Sequence, residues 1–226
     1  MSGARGSARG LVIFDCDGVL VDSVAIDMRE LTRTIAALGG TMAEEDVHAA
    51  FHGAALGDID RALAAHLGAP APDRWMDAWF TARTAAFERE LTSVPGAAEA
   101  VDGVRGLGWE VCVASQGEPA KMAQTLRVSG LAERFDPQRI FSATMVARGK
   151  PAPDLFLHAA RTCRFAAADC VVVEDSLTGV TAARAGGMRT FAFVADPERD
   201  AVAVQRMAAL GAELLPDLRE LPALLA

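Results

Sequence analysis

Four short runs of apolar residues recur along the chain, and each is continuous, with no alternating polar positions. The runs are Leu11–Phe14, Val111–Ala114, Val171–Val173 and Thr190–Val194. Continuous apolar runs of this length are typical of strands that are buried on both faces of a parallel sheet. Helical patterns follow two of them, over Pro119–Val128 and Leu177–Ala185. This order of strands and helices predicts an α/β fold with a doubly wound, Rossmann-like parallel sheet.

The segment from about Ser23 to Leu91 breaks this alternation, because it contains no strand-like run. Its helical patterns are separated by turns that contain glycine or proline. The predicted helices are Val24–Leu38, Ala43–Phe51, Leu56–Leu67 and Pro72–Leu91. We therefore expect an all-helical cap domain over residues 23–93, inserted into a core domain formed by residues 10–22 and 94–226. Residues 1–9 are mostly Gly, Ser, Ala and Arg, which predicts a disordered lead-in.

Composition and charge narrow the possible partners and locations. The chain has 226 residues, 51% of them hydrophobic, and a formal net charge of −8. An acidic chain is a poor binder of nucleic acid or of an anionic membrane surface, so neither is expected as a partner. No apolar run approaches the ~18 residues of a membrane span, and Leu11–Phe14 is too short for a signal-peptide core. Four cysteines without a CxxC pair indicate reduced thiols, and we expect a cytoplasmic protein.

Lysine is rare in this chain, although basic residues are not. Of the 22 lysines and arginines, only Lys121 and Lys150 are lysines, and tyrosine is absent. Any chemistry that needs an amine must therefore use one of these two positions.

Pairs of acidic residues directly follow two of the predicted strands. Asp15 and Asp17 come after the first strand, and Glu174 and Asp175 come after the third. Ligands of open α/β sheets bind beyond the carboxyl ends of the strands, where both pairs are expected to lie. Since Mg²⁺ prefers a few carboxylates together with water and a substrate phosphate, the pairs suggest a magnesium site. Taken alone, an Asp-x-Asp pair fits a capping or turn role equally well.

A polar pair and a lysine are further candidates for the same site at the carboxyl edge of the predicted sheet. Ser115 and Gln116 follow the second strand, where a hydroxyl and backbone N–H groups can hold an anion, although serine is also an ordinary N-cap. Lys150 is held in a stiff loop before Pro151 and Pro153, with a solvated surface lysine as the alternative. A metal, a cation, a nucleophile and an acid/base are together what phosphoryl transfer requires. The chain has no GxGxxG, Walker A or HExxH motif, so dinucleotide, P-loop and zincin interpretations have no support.

The joint pattern resembles the haloacid dehalogenase (HAD) superfamily of aspartate-nucleophile phosphotransferases. All four motifs of that superfamily occur in order, and the resemblance extends from Leu11 to at least Val194. The motifs are Asp15-Cys-Asp17-Gly-Val-Leu-Val-Asp-Ser, Ser115, Lys150 in Gly-Lys-Pro-Ala-Pro-Asp, and Glu174-Asp175-Ser. The helical insert resembles the cap of the subgroup that contains β-phosphoglucomutases and small sugar-phosphate phosphatases. The stretch Ser-Gln-Gly-Glu-Pro-Ala-Lys-Met is similar to that of 6-phosphogluconate phosphatases.

This resemblance implies a role for each motif residue. Asp15 would be the nucleophile that becomes an aspartyl-phosphate, and Asp17 the general acid and then the general base. Mg²⁺ would be the cofactor, held by Asp15, the backbone carbonyl of Asp17, and Asp175, with Glu174 in or near its coordination shell. Phosphoryl oxygens would be bound by three residues, Ser115, Gln116 and Lys150. The implied activity is a Mg²⁺-dependent phosphatase of a small phosphate ester, such as a sugar or sugar-acid phosphate.

Alternatives within the superfamily can be compared on the residues present. Asp17 disfavours dehalogenases and phosphonatases, which lack the second aspartate, and the insert has no lysine for a phosphonatase Schiff base. A β-phosphoglucomutase-type isomerase places an arginine soon after a cap glycine and uses a cap lysine, whereas Gly53 is followed by Ala-Ala-Leu-Gly. A phosphatase is therefore preferred, with the isomerase as the alternative. A non-catalytic protein on this scaffold would be expected to lose a motif residue, and none is lost.

Some residues in and around the insert also have expected roles. His52, beside Gly53, is a candidate substrate-binding residue of the cap, because this position faces the site in relatives. Arg61 and Arg83 are expected to be solvated helix charges, and Lys121 a surface charge. Cys16 is expected to point into the core. Three aromatic residues at helical spacing are expected to pack in the core of the insert, namely Trp75, Trp79 and Phe80.

Overall fold

A parallel β-sheet forms the centre of the molecule. The computed structural model describes residues 8–51, 54, 56–195 and 201–226. The strands within these residues are β1 (Leu11–Phe14), β2 (Glu110–Ser115), β3 (Ile140–Ser142), β4 (Cys170–Glu174), β5 (Arg189–Phe193) and β6 (Glu213–Leu215). They lie in the spatial order β3-β2-β1-β4-β5-β6, and each pair of neighbours is parallel.

The α-helices of the described part connect these strands and cover both faces of the sheet. They are α1 (Val24–Ala37), α2 (Glu44–Phe51), α3 (Leu56–Leu67), α4 (Trp75–Glu90), α5 (Ala97–Gly106), α6 (Pro119–Val128), α7 (Asp154–Cys163), α8 (Leu177–Ala185), α9 (Ala201–Ala209) and α10 (Leu221–Leu224). The doubly wound α/β fold is confirmed, and α1–α4 form the helical insert after β1. Helices α3, α6 and α8 begin and end at the residues that the sequence pattern predicts.

The central strand β1 has a register that brings the ends of three strands together. Phe14 is paired with Val113 of β2 on one side and with Val173 of β4 on the other. The next residue, Asp15, continues this pairing, since its backbone N–H donates to Val173 O at 2.9 Å. The acidic and polar residues that follow β1, β2 and β4 therefore lie side by side at the carboxyl edge of the sheet.

Successive residues of β1 face two different hydrophobic cores, which explains its continuous apolar run. Val12 and Phe14 pack in the core beneath α5 and α6, whereas Leu11 and Ile13 pack in the core beneath α7 and α8. All four side chains are fully buried. This burial on both faces is what distinguishes a central parallel strand from a half-exposed one.

The helical insert has a hydrophobic core of its own. Trp75 and Trp79 are buried there, with their rings stacked and the ring centroids 6.0 Å apart. Phe80 is partly buried against the same cluster. The prediction that these aromatic residues pack in a core is confirmed.

The apolar pattern does not predict β3 or β6. Each has only three residues, and the two strands lie at opposite edges of the sheet. Edge position and short length remove the long, doubly buried run by which the central strands are recognised.

The remaining sequence expectations concern the cysteines, the membrane and the N-terminus. All four cysteines are unpaired and buried, in agreement with reduced thiols. No helix in the described part of the chain is long and apolar enough to cross a membrane. The predicted lead-in falls mainly on residues 1–7, which lie outside the described residues, while Arg9 donates its backbone N–H to Gly108 O at 3.0 Å.

Candidate active site

The carboxyl edge of the sheet borders a cleft of about 330 Å³, which the helical insert lines on the other side. Every site residue that the sequence predicts in the core lies on this cleft, namely Asp15, Asp17, Ser115, Gln116, Lys150, Glu174 and Asp175. Helices α1 and α4 of the insert contribute Val24, Asp27, Met28, Trp79 and Arg83. The fold therefore brings together residues that are up to 160 positions apart in sequence, as counted from Asp15 to Asp175.

Lys150 joins the ends of β1 and β4. Its Nζ donates to Asp15 Oδ1 and to Glu174 Oε1, both at 2.5 Å, and only 3% of the side chain is exposed. Glu174 Oε2 in turn accepts hydrogen bonds from the backbone N–H of Ser176 at 2.7 Å and from its hydroxyl at 2.9 Å. We call Asp15, Lys150 and Glu174 the Lys150 cluster. The alternative of a solvated surface lysine at this position is wrong.

The ionisation of the Lys150 cluster is shaped by burial and by neighbouring charges. Burial raises the pKa of Asp15 well above its ordinary value, Lys150 acts in the opposite direction, and the nearby carboxylates of Glu174, Asp175 and Asp17 raise it further. Burial disfavours the charged form of Lys150, but its two carboxylate partners outweigh this, so the lysine pKa is raised. The anionic Asp15 thus needs more positive charge than Lys150 alone supplies.

The chemistry of the acidic side chains fits Mg²⁺. A Cβ on Gly18 would lie 1.9 Å from Asp175 Oδ2, so the Asp175 carboxylate lies directly against the loop that follows Asp15. Gly18 has a φ of +81°, which glycine tolerates best. Oxygen donors are what Mg²⁺ prefers, and it keeps several waters. Within the described part of the chain, no three acidic, histidine or cysteine side chains are arranged as a metal site.

Ser115 and Gln116 have different partners at the end of β2. Ser115 Oγ lies 3.3 Å from Asp17 Oδ2 and accepts a hydrogen bond from the backbone N–H of Gly117 at 3.0 Å. Gln116 Oε1 accepts from the backbone N–H of Lys150 at 3.0 Å, and Gln116 Nε2 donates to Lys150 O at 3.4 Å. The side chain of Gln116 therefore fixes the backbone of Lys150. Since the N-cap of α6 is Glu118, the alternative role of Ser115 as N-cap is wrong.

Lys121 is a site residue that the sequence prediction assigns incorrectly. Its Nζ lies 3.0 Å from Asp17 Oδ1 and 3.0 Å from Asp27 Oδ2, and only 12% of the side chain is exposed. It is the third residue of α6, where Asp27 of α1 and the ring of Phe87 of α4 lie against it. The rarity of lysine distinguishes Lys121 as well as Lys150 in the sequence.

Asp17 accepts hydrogen bonds from two directions. Ser23 Oγ donates to Asp17 Oδ1 at 2.6 Å, and Lys121 lies against the same oxygen. Burial by itself would raise the pKa of Asp17. The charge of Lys121, the hydrogen bonds from Ser23 and Lys121, and the charge of Arg83 outweigh that effect and lower it. Asp17 is thus an ionised carboxylate, paired with a cation, in this arrangement.

Arg83 is also misassigned by the sequence prediction, because it is not a solvated helix charge. Its side chain is 8% exposed, and its Nη1 lies 3.6 Å from Asp27 Oδ1. The guanidinium carbon lies 4.3 Å from the centroid of the Phe80 ring and 5.1 Å from that of Trp79. Arg61, by contrast, is 76% exposed, as predicted. We call Asp17, Asp27, Lys121 and Arg83 the Lys121 cluster.

The remaining two predictions concern Cys16 and His52. Cys16 is fully buried, with its Sγ 3.8 Å from Thr125 Oγ1, which confirms that it points into the core. His52, the candidate substrate-binding residue of the cap, lies outside the described residues.

The carboxyl edge of the sheet carries paired aspartates after β1, a buried lysine, and a second acidic pair after β4. This combination of residues is typical of one family of hydrolases. Residues 10–187 match the family of haloacid dehalogenase-like hydrolases, and the chain belongs to this family.

Curated relatives narrow this class to phosphatases. The chain is 31% identical to 6-phosphogluconate phosphatase of Escherichia coli (strain K12) over 187 residues, which cover 82% of this chain and 83% of that protein. It is 32% identical to hexitol phosphatase A of the same organism over 187 residues, covering 80% and 81% of the two chains. A HAD family hydrolase from Deinococcus radiodurans R1, solved with bound phosphate and sodium, aligns with a TM-score of 0.76 at 31% identity. That alignment covers 96% of this chain and 95% of the other. The chain is a phosphoric monoester hydrolase similar to sugar phosphatases.

Proposed function

We propose that this protein is a Mg²⁺-dependent phosphatase that hydrolyses a small sugar or sugar-acid phosphate through a phosphoryl group bound to Asp15. The observation that supports this most strongly is the Lys150 cluster, in which one buried lysine contacts the nucleophile candidate and Glu174. Such a cation allows an anionic carboxylate to approach an anionic phosphate ester. Asp17 lies two residues further along the same loop, on the same cleft.

The proposed reaction has two steps, and the roles of Asp15 and Asp17 differ in them. In the first, an oxygen of Asp15 attacks phosphorus, the bond from phosphorus to the substrate oxygen breaks, and Asp17 gives a proton to the leaving alkoxide. In the second, water attacks the phosphorus of the aspartyl-phosphate, Asp17 takes the proton, and Asp15 is released as a carboxylate. Lys150 and Ser115 bind the phosphoryl oxygens in both steps.

Asp17 must carry a proton in the first step, although it is ionised beside Lys121 in the arrangement described above. We infer that substrate binding weakens the contact between Lys121 and Asp17, because a bound ester brings its own negative charge to the same cleft. The hydroxyl of Ser23 can then orient either protonation state of Asp17, since a hydroxyl both donates and accepts.

Three oxygen ligands would hold Mg²⁺: the carboxylates of Asp15 and Asp175, and the backbone carbonyl of Asp17. When bound, the ion supplies positive charge that stabilises the ionised form of Asp15 and the charge on the transferred phosphoryl group. The sequence resemblance implies that Glu174 lies in or near the coordination shell of the ion. Its two oxygens are engaged by Lys150 and Ser176, and we propose that it chiefly positions Lys150.

Phosphate release from para-nitrophenyl phosphate tests this proposal. We expect turnover with Mg²⁺ that EDTA abolishes, and no measurable turnover for Asp15→Asn, a loss of at least about 10⁴-fold. The matched control is Asp22→Asn, which makes the same chemical change at an exposed position of the same loop and should retain activity. Normal turnover of the Asp15→Asn variant would contradict the proposal.

The isomerase alternative is separated by a second assay. A β-phosphoglucomutase-type enzyme would convert β-glucose 1-phosphate to glucose 6-phosphate faster than it releases phosphate. We expect phosphate release to dominate, because the insert contains no lysine.

A further inference from the structure

We propose that Arg83 and Asp27 form a subsite for a 2-hydroxy carboxylate, so that the enzyme selects phosphorylated sugar acids over phosphorylated sugar alcohols. This inference rests on the proposed phosphatase function and assigns the substrate class and the residues that select it. The argument uses the hydrogen-bonding state of two buried side chains, their place in the cleft and their chemistry.

Two polar atoms of this corner lack hydrogen-bond partners. Within the described residues, neither Arg83 Nε nor Asp27 Oδ1 has one, although both atoms are buried. The contact between Arg83 Nη1 and Asp27 Oδ1 is 3.6 Å, which is too long for a hydrogen bond. Buried polar groups in native proteins are nearly always paired, so an unpaired donor and an unpaired acceptor side by side indicate a missing ligand.

Arg83 is the more loosely paired of the two cations in the Lys121 cluster. Asp27 is shared between two cations, since Lys121 takes its Oδ2 at 3.0 Å and Arg83 lies against its Oδ1. Lys121 has a second carboxylate partner in Asp17, whereas among the described residues Arg83 has no carboxylate partner closer than Asp27. Arg83 is therefore the less fully neutralised of the two cations in this cluster.

The guanidinium group of Arg83 is held in place by aromatic rings, which leaves its N–H groups available to a ligand. Its position over the Phe80 and Trp79 rings fixes the side chain without using its N–H donors. Both Arg83 and Asp27 line the cleft that contains Asp15, whereas the exposed Arg61 does not. A phosphate ester whose phosphate lies against Asp15 can thus extend its alcohol portion towards Arg83 within the same cleft.

A 2-hydroxy carboxylate satisfies both unpaired atoms at once. The carboxylate oxygens accept hydrogen bonds from the planar guanidinium, which suits carboxylates better than any other side chain does. The adjacent hydroxyl donates to the carboxylate oxygen of Asp27. A terminal hydroxymethyl group, as in a sugar alcohol, offers no negative charge to Arg83.

The test uses two substrates that differ only in this group, D-gluconate 6-phosphate and D-glucitol 6-phosphate. For the wild type we expect kcat/KM to favour the acid by at least about tenfold. Arg83→Gln should reduce that preference at least about tenfold, mainly through a higher KM for the acid, and Arg83→Lys should restore part of it. The control Arg61→Gln changes an exposed arginine of the same insert and should leave the preference unchanged. Thermal unfolding of each variant confirms that it is folded.

Equal or weaker use of the acid by the wild type, or an unchanged preference in Arg83→Gln, would overturn this inference while leaving the phosphatase function intact. Binding of the same two compounds to the Asp15→Asn variant, measured by calorimetry, decides the question independently of turnover. We expect tighter binding of the acid, and loss of that difference when Arg83→Gln is added. Absence of phosphate release from any ester would instead contradict the proposed function. In that case, the calorimetric comparison of the two compounds would still test whether Arg83 binds the carboxylate.

Discussion

The two lysines of this chain line the same cleft, and their surroundings differ. The Lys150 cluster lies within the core, where Lys150 is held between the ends of β1 and β4 and its backbone is fixed by Gln116. The Lys121 cluster joins the core to the helical insert, because Lys121 contacts Asp17 on one side and Asp27 of α1 on the other. One lysine therefore has partners that a single sheet edge positions, and the other depends on how the insert packs on the core.

This difference assigns separate tasks to the two clusters. The Lys150 cluster provides the fixed charge that any phosphate ester needs, whatever its alcohol portion. The Lys121 cluster connects the proposed acid/base, Asp17, with the insert residues Asp27 and Arg83 that reach the rest of the substrate. The fixed charge thus belongs to one cluster, and the acid/base together with the selecting residues belongs to the other, so substitutions should separate charge stabilisation from selection.

The largest effect is expected from Lys150→Met. It removes the positive charge beside Asp15 and leaves two buried carboxylates without their cation, so kcat/KM should fall at least about 10³-fold. Stability to denaturant should fall by about 3 kcal/mol or more, because breaking a buried pair leaves uncompensated charge. Steady-state kinetics and urea unfolding measure the two effects. Near-normal activity would remove Lys150 from the proposed reaction.

A smaller effect is expected from Lys121→Met. Asp17 keeps its hydrogen bond from Ser23 and Asp27 keeps Arg83, so stability should fall by about 2 kcal/mol and kcat/KM by about 10- to 100-fold. Because Lys121 lowers the pKa of Asp17, the stability it contributes through Asp17 is present above the ordinary aspartate pKa. That contribution is lost as the pH falls through the lowered pKa. The destabilisation, measured by urea unfolding across pH 2.5–7, should therefore be larger at about pH 7 than at about pH 3. A pH-independent loss would argue against the ion pair.

The smallest effect on catalysis is expected from Gly179→Ala, which disturbs the Lys150 cluster indirectly. A Cβ at this position would lie 1.8 Å from Glu174 Oε1, so Glu174 must shift away from its contact with Lys150. We expect a loss of about 1–3 kcal/mol in stability and a lower kcat, with the preference for sugar acids unchanged. The control is Gly106→Ala, where a Cβ would meet nothing within 4 Å, and stability should rise by up to about 1 kcal/mol. Equal behaviour of the two variants would show that Glu174 does not depend on Gly179.

Most of the site residues that the core contributes can be predicted from the sequence, because they directly follow apolar runs that form strands. Strand ends can be recognised from apolar runs, and parallel strands place their carboxyl ends together, so Asp15, Ser115 and Glu174 are predicted to meet. The position of Lys150 is harder to predict, because it belongs to a loop and not to a strand end. The rarity of lysine and the adjacent prolines nevertheless indicate that Lys150 has a role in the site.

The insert half of the site does not follow from local pattern, because it depends on the packing of helices. Nothing in the helical spacing of α4 shows that Arg83 turns towards Asp27 of α1 and lies over Phe80. Lys121 is likewise recognised as buried only when Asp27 of α1 and Phe87 of α4 are placed against it. Short edge strands such as β3 were missed for a related reason, since three residues carry too little pattern to be separated from a loop.

The central claim, that Asp15 is the nucleophile and Asp17 the acid/base, is tested most directly by trapping the phosphoryl group. The Asp17→Asn variant should still react with para-nitrophenyl phosphate, whose leaving group needs no proton, but should lack the base for the second step. We expect a burst of one nitrophenol per active site and, after acid quenching, one phosphoryl group on the tryptic peptide spanning residues 10–29, which contains Asp15. Borohydride should reduce that acyl phosphate at Asp15 to homoserine. A phosphoryl group found on another residue, or turnover with no covalent phosphate at all, would contradict the account.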